Sequence, residues 1–400
     1  MKSFSLSHFL KKQSNQFYIS IFLRSFAVGM ILIFEPIYLY SYFNQSLPLT
    51  LIFFALVHGI YALLVVFGAK IMSKIGFDWA ILTSHFFFLA YYVILVFVNS
   101  SFLLVPLAII MKALGMTFFW PSYHINFTRL SKKDHPGTEV SKKNIAVILP
   151  TILGPVIGGI ILFNFNYSFL FASVLIVLLI SAIPLFMTKE KNEVYSDEYK
   201  KAWGRIFKKR NIKSTIAFSC DSIEAGINNY LWPLFMSVLS ISYVSMGGIV
   251  SFSFFISMLF ILYMGKISNT SKKIKALNIG SLLTSLSWII KFFVVTPFSA
   301  FLAHSFYKIC RTSVSIPFQT FFYGKATIRG PEADEFIIYR EIIINVVKFL
   351  SLSLLALIFL IIPQINIAFI IAAVSCLGFV FIGQPSKTKK NNLMFLLDEE

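Results

Sequence analysis

The sequence predicts an all-α polytopic membrane protein of twelve transmembrane helices arranged as two pseudo-symmetric six-helix bundles. Three observations carry this. Of 400 residues, 57% are hydrophobic and only 13% charged, against the ~25% charge that a soluble domain keeps on its wet surface. Apolar runs of about 20 residues, enough to cross a bilayer core, recur along the whole chain. The connections between them alternate between basic and uncharged, and the second half echoes the first.

The predicted spans are 17–41, 49–69, 79–98, 102–126, 143–163, 168–187, 214–237, 242–264, 276–295, 298–322, 337–361 and 366–383. The first apolar run exceeds the 7–15 residue core of a signal peptide and no small-residue cleavage site follows it, so it reads as a helix. Cys220, Cys310 and Cys376 fall in or beside apolar runs. They imply no disulfide framework and no metal site, and no cofactor is expected.

A net charge of +18 raises the question of an anionic partner, and position answers it. Lys2, Lys11 and Lys12, then Lys70 and Lys74, then Arg129, Lys132 and Lys133 lie in connections on one side. The stretch 188–213, then Lys266, Lys272, Lys273 and Lys275, then Lys325 and Arg329, and finally Lys387, Lys389 and Lys390 continue the same series. The intervening connections, 41–48, 99–101, 164–167, 240–242, 296–297 and 363–366, contain no charged residue. This is the positive-inside pattern. It predicts a multi-pass protein of the cytoplasmic (inner) membrane, in contact with lipid, with both termini cytoplasmic and no nucleic-acid partner; a monomer is expected, although the charge pattern itself does not bear on it. The expected division is a bundle over 1–187, a cytoplasmic linker over 188–213, a second bundle over 214–383 and a tail over 384–400. Within the linker, 199–210 suits an amphipathic surface helix, with Trp203, Ile206 and Phe207 toward lipid headgroups.

The halves repeat in register. Arg24, Gly29 and Pro36 recur as Asp221, Gly226 and Pro233, each 197 positions on, and Lys112 and Pro121 recur as Lys308 and Pro317, each 196 on. The turn over 69–76 has its counterpart over 265–272. A duplication explains three matches in nearly one register.

Gly154-Pro155-Val156-Ile157-Gly158-Gly159 in the fifth span resembles the G-P-x-x-G-G element of the major facilitator superfamily, whose glycines let a neighbouring helix come close. The turn 69–77 resembles that family's G-x-x-x-D-R-x-G-R turn. Ala69 stands for the first glycine, Ser73 for the aspartate and Lys74 for the arginine, and only Gly76 is kept. The later copy keeps Gly265 and offers Asn269 for the aspartate. Lys112-Ala-Leu-Gly-Met resembles the R-x-x-Q-G element with the glutamine missing. The resemblance covers nearly the whole chain. It implies two parallel six-helix repeats about an axis along the membrane normal, with spans 1, 4, 7 and 10 lining a central cavity.

Ionisable side chains at membrane depth cost about 2.5–3.5 kcal/mol each on insertion scales, so each needs a reason. Spans 1, 4, 7 and 10 hold seven of the ten: Arg24, Glu35, Lys112, Asp221, Glu224, Lys308 and Arg311. At helical spacing, Asp221, Glu224, Asn228 and Trp232 form one stripe, and Lys308, Arg311, Ser315 and Gln319 another. Two readings of Arg24 stand side by side: an ion pair with its symmetry mate Asp221, or a substrate contact. Lys291 reads as a snorkelling residue, and Glu341 and Lys348 as a local network with Asn345. His58, His85, His124 and His304 read as packing or hydrogen-bonding residues.

The surplus of Lys308 and Arg311 points to an anionic or zwitterionic small-molecule substrate. Glu224, then Asp221, then Glu35 are the candidates for carrying a coupling proton. No phosphate-binding loop or other catalytic signature is present, so an enzyme is not expected. The leading reading is a secondary active transporter working by alternating access, coupled to protons or another ion. The glycine–proline element is associated within the family with antiport, which puts export ahead of uptake. The alternatives are a transporter-fold sensor or assembly partner that no longer transports, and a lipid flippase on the same fold.

Overall fold

The structure, a computed structural model, describes residues 13–130, 135–187, 195 and 197–384. Lys2, Lys11, Lys12, Lys132, Lys133, Lys387, Lys389 and Lys390, residues 188–194 of the expected linker and tail residues 385–400 lie outside them. The described residues form twelve helical spans. In chain order, α1 is Gln13–Ile31, continued past a 42° bend by Phe34–Tyr42, α2 is Leu47–Ile75 and α3 is Phe77–Phe97. Next come α4, Leu104–Leu130, α5, Pro136–Asn164, and α6, Tyr167–Ala182 with a 3-10 extension to Met187. Helix α7 is Ile212–Gly226, a π-helical turn Ile227–Leu231, and Trp232–Val238. Finally, α8 is Tyr243–Ser268, α9 Lys273–Phe292, α10 Pro297–Ile328, α11 Ala333–Ile361, and α12 Asn366–Cys376 with a 3-10 end to Gly383.

Eight of these are long and apolar enough to cross a membrane alone, and the bent α1 makes a ninth. The other three, α7, α9 and α10, are where the chain has placed Asp221 and Glu224, Lys291, and Lys308 and Arg311. Polar content has diluted their hydropathy, which is the mark of helices that face protein or a wet cleft rather than lipid.

The helix ends explain how uncharged connections suffice on one side. Helices α2, α6, α8 and α10 all begin there. Ser46, Asn166, Ser242 and Thr296 cap them by accepting the otherwise unpaired backbone N–H of the first turn. At α10, Ser299 returns the bond to the Thr296 N–H, which completes a capping box. On the opposite side, α2 turns into α3 through Gly76 alone, at φ +96° and ψ 151°. Only glycine adopts this backbone without strain. Gly76→Ala is expected to cost about 1–3 kcal/mol, read as a lower thermal midpoint in detergent.

Between the halves, α2 runs along α11 and α5 along α8. The glycine–proline element serves both sides of α5. A Cβ on Gly154 would lie 2.8 Å from Gly29 Cα, and one on Gly158 would lie 2.0 Å from the Met30 carbonyl oxygen, so this face seats α1. A Cβ on Gly159 would lie 2.5 Å from the Tyr243 oxygen, and one on Gly247 2.3 Å from the Pro155 oxygen, so the other face seats α8. At the far end of the same seam, Gly265 packs on Ser141 and Gly137.

The connection from α6 to α7 is tied to both halves. Its helix, Tyr199–Gly204, sets the Tyr199 ring 4.9 Å from Phe67 of α2. Buried Arg205 bonds the Asp197 carboxylate through Nε and reaches Glu332, just before α11, at 3.3 Å, and Arg210 reaches the same carboxylate at 3.4 Å. The expected surface helix over 199–210 is α-helical over Tyr199–Gly204 and continues as a 3-10 turn over Arg205–Phe207. Trp203 and Ile206 are half-buried against the body because the helix is anchored by these ion pairs, and only Phe207 is fully outside.

Burial alone would raise the Asp197 carboxyl, but hydrogen bonds and charge from Arg205 and Lys201 outweigh it and hold the group below its usual range. A carboxyl lowered in the fold adds stability that is present above its unfolded value of about 3.9 and disappears as pH falls through the folded value. The clamp is expected to hold at neutral pH and to loosen below about pH 4, read as faster hydrogen exchange of the backbone over 197–211.

Candidate functional site

Two hollows lie on the line between the halves. One, of about 310 Å³, is walled by α2, α4 and α5 from the first half and α7, α10 and α11 from the second. Its polar lining includes Lys143, His124, Asp221, Arg311, Gln319, Arg340, Glu341 and Lys348, and its aromatic lining includes Trp120, Tyr123, Phe318 and Phe322. The other, of about 480 Å³, opens among the uncharged connections beside Gln45, Pro48, Phe235 and Asn366.

Along α2 and α7 the two hollows are separated by one inter-half contact layer. The Tyr230 ring stacks on Phe54 at 4.0 Å. His58 spans the interface with Nε2 2.8 Å from the Tyr230 hydroxyl and Nδ1 2.7 Å from Asn345 Oδ1. The basic end of the cavity is bridged as well. Lys143 donates to Gln319 at 2.6 Å and to the Tyr323 hydroxyl at 3.2 Å, and His124 Nδ1 lies 2.7 Å from that hydroxyl. Further out, Arg129 pairs with Asp334 at 2.7 Å. Asn269 accepts from the Gly137 N–H and donates to Thr138, both at 2.8 Å, and so caps α5 from the other half.

The sequence-derived residues divide. Asp221, Arg311 and Gln319 line the cavity. The guanidinium of Arg311 bonds the Asp221 carboxylate and reaches Glu224 Oε2 through Nε at 3.1 Å. Glu224 itself is turned into the second half at 1% exposure. There it accepts from the Tyr307 hydroxyl at 2.6 Å and from Trp288 Nε1 at 3.1 Å. Lys308 sits over the Phe254 ring at 4.2 Å, away from the cavity.

In the first half, Lys112 bonds Glu35, and the Tyr91 hydroxyl donates to the same carboxylate at 2.7 Å. Arg24 makes no ion pair with Asp221. Its guanidinium lies 3.4 Å from the Phe119 ring centroid, within its own half. At membrane depth, the pairs Lys112–Glu35 (α4 with α1) and Arg311–Asp221 (α10 with α7) occupy equivalent places in the two halves and each lies within one half.

Asn228 and Trp232 leave the predicted stripe. The π-helical turn Ile227–Leu231 takes up an extra residue and rotates everything beyond it off the face that carries Asp221. Trp232 is buried inside the second half, stacked on His304 at 5.4 Å. Lys291 does not snorkel: it is 0% exposed, with its ammonium between aromatic rings. Glu341 pairs with Arg340 at 2.6 Å and accepts from the Tyr61 hydroxyl at 2.7 Å across the interface; of the expected local network, Asn345 donates to the Glu341 carbonyl oxygen at 2.8 Å, while no direct bond joins Glu341 to Lys348.

Lys143 escaped the sequence reading because it sits in the run Lys142-Lys143 at a basic helix end. Its signal was helical phase, since it lies eleven residues, about three turns, before Gly154, while Lys142 is exposed beside Glu139. Asp78 was also missed. It is buried in the first turn of α3 and accepts from Asn126 of α4 at 2.7 Å.

Residues 17–330 match the family model described as Major Facilitator Superfamily. No curated protein matches in sequence. Among solved structures, the chain is similar to the E. coli fucose:proton symporter FucP, with 92% of this chain and 97% of that one aligned, a TM-score of 0.66 and 13% identity. It is also similar to an outward conformation of FucP, at 92% and 96% coverage, a TM-score of 0.64 and 14% identity. The human organic anion transporter MFSD10 aligns at 92% and 98% coverage, with a TM-score of 0.65 and 10% identity. At such identities the likeness is one of fold.

Proposed function

Since this chain belongs to the major facilitator superfamily, we propose that it is a secondary transporter that carries small organic acids through the inter-half cavity. Fold and family make it a multi-pass membrane transporter; the solute and the coupling are the proposal. One observation carries it. Four cationic side chains, Lys143, Arg311, Arg340 and Lys348, face two carboxylates, Asp221 and Glu341, in a hollow of about 310 Å³. The excess of positive charge in this hollow suits an anion, and the rings of Trp120, Tyr123 and Phe318 offer apolar area for its body. We read the basic face as cytoplasmic, and the stretch 188–213 as the linker between bundles 1–187 and 214–383.

Asp221 supplies the coupling. While ionised it competes with a solute carboxylate for Arg311, and a proton on Asp221 releases the guanidinium. Proton and acid then favour each other's binding by the same factor. This supports the two moving together, a symport arrangement, over the exchange that the glycine–proline element suggested.

The test is purified protein in liposomes under an imposed pH gradient, presented with a panel of aliphatic and aromatic acids, amines and sugars. Acids should accumulate inside when the gradient drives protons inward. Lys143→Met is expected to weaken apparent affinity about tenfold, the equivalent of one charge-assisted hydrogen bond of ~1.4 kcal/mol. Movement of amines or sugars with no acid moved would end the reading.

A further inference from the structure

The side chains that line the inter-half cavity fall into two charged tiers with an apolar layer between them. On α10, Arg311, Ser315 and Gln319 face the hollow, each four residues from the next. On α11, Lys348, Ile344 and Arg340 repeat that spacing in the opposite direction of the chain. Helix α4 contributes Met116, Trp120 and His124 in the same rhythm, and α5 contributes Lys143 and Val147. At 1.5 Å per residue, the ends of each three-membered row stand about 12 Å apart along their helix.

Hydrogen bonds knit each tier. In the one nearer the basic connections, Lys143 donates to Gln319 and to the Tyr323 hydroxyl, which also meets His124 Nδ1. His124 Nε2 in turn lies 3.2 Å from Arg340 Nη1. In the deeper tier, Arg311 bonds Asp221, and the Lys348 stem crosses α7 at Gly226, where a Cβ would lie 3.9 Å from its Cγ. Between the tiers, Trp120, Val147 and Ile344 present apolar surface, and Ser315 turns its hydroxyl to the Thr312 carbonyl at 3.4 Å. Each tier holds an arginine that already has a carboxylate and a lysine that has none. Arg340 takes Glu341 and Arg311 takes Asp221. Glu224, which also reaches Arg311, does not line the cavity. Among the described residues, neither Lys143 nor Lys348 has a carboxylate within ion-pair distance.

We propose that the cavity selects elongated dianions, dicarboxylic acids of about six to ten carbons, over monocarboxylates. A solute with one carboxylate satisfies one of the two lysines and leaves the other unpaired at membrane depth, where an uncompensated charge is costly. A solute with a carboxylate at each end satisfies both and lays its apolar body against Trp120 and Ile344. The inference rests on the proposed transport of organic acids and names which acids they are. It also gives the second carboxylate a task. Lys143 belongs to the first half and Lys348 to the second, so a diacid ties the halves together and a monoacid does not.

The experiment is isothermal titration calorimetry of the purified protein in lipid nanodiscs, with the heat of empty nanodiscs subtracted. The ligands are butanedioate, hexanedioate and octanedioate, each beside its monomethyl ester, which keeps the length and masks one charge. The longer diacids are expected to bind about tenfold or more tighter than their esters, the worth of one charge-assisted hydrogen bond. Butanedioate is too short to meet both tiers and should gain about threefold or less. Lys143→Met and Lys348→Met should each bring the advantage of the longer diacids down to about threefold or less. Should either variant fail to fold, the wild-type ratios still decide. Equal binding of a long diacid and its ester, an equal advantage for butanedioate, or a ratio unmoved by both lysine variants would overturn this inference and leave acid transport standing. Binding of no acid of either kind would overturn both.

Discussion

Arg311→Gln should reduce acid uptake at subsaturating concentration by about 100-fold or more, an increase of ~2.7 kcal/mol in the barrier. The same guanidinium holds Asp221 at the cavity wall and Glu224 behind it, so its loss leaves two carboxylates at membrane depth without their cation. Removing one partner of a buried pair costs about 3–5 kcal/mol, and the thermal midpoint should drop alongside activity. Two companions separate the effects. Arg311→Lys keeps the charge but cannot address both acids with a planar fork, and should recover stability more than uptake. Asp221→Asn should preserve binding of the acid while flattening its dependence on pH. If Arg311→Gln transported at the wild-type rate, the anion-binding assignment would fall.

Gly159→Val should produce the second large effect, through geometry alone. A Cβ at Gly159 would stand 2.5 Å from the Tyr243 oxygen, and the obstacle is α8 backbone, which cannot rotate away. Overpacking of this kind costs about 1–3 kcal/mol. Here the strain falls on a seam between halves, so it should appear as a displaced conformational equilibrium rather than unfolding. At 1.4 kcal/mol per factor of ten, labelling of a cysteine placed at Ser315 in the cavity should change between the two membrane faces by about 5–100-fold. Gly247→Val, opposite Pro155 at 2.3 Å, should act in the same direction. Gly158→Ala, directed at α1 within one half, should lower stability without that shift.

The architecture was legible because the bilayer imposes it on the sequence. Span length, charge alternation and repeat register all follow from hydrophobic thickness and loop position, and Gly154–Gly159 is readable because only glycine permits such close approach. The site was half legible. Helical phase brought Asp221, Arg311 and Gln319 to one cavity, as a regular helix requires. It failed for Glu224 and Lys308, which turn into the second half, and beyond Ile227, where a π-helical turn that leaves no compositional trace swings Asn228 and Trp232 aside. Symmetry pointed Arg24 at Asp221, but a repeat relates positions, not contacts, and Arg24 lies over Phe119 while Asp221 takes Arg311. Lys291 near a helix end looked like a snorkelling lysine. Its burial depends on Trp232, Trp288 and Tyr307 from three helices, whose convergence a linear pattern does not carry.

The tie between Tyr199 and Phe67 at one end and Arg205 and Glu332 at the other bears on how far the bundles can swing. A slack tether would let them rock freely, whereas a strap fastened to both sides works like a door chain. On the proposed alternating-access reading, opening toward the basic face would have to stretch or unhook it, which would set the reach of that motion away from the cavity it serves.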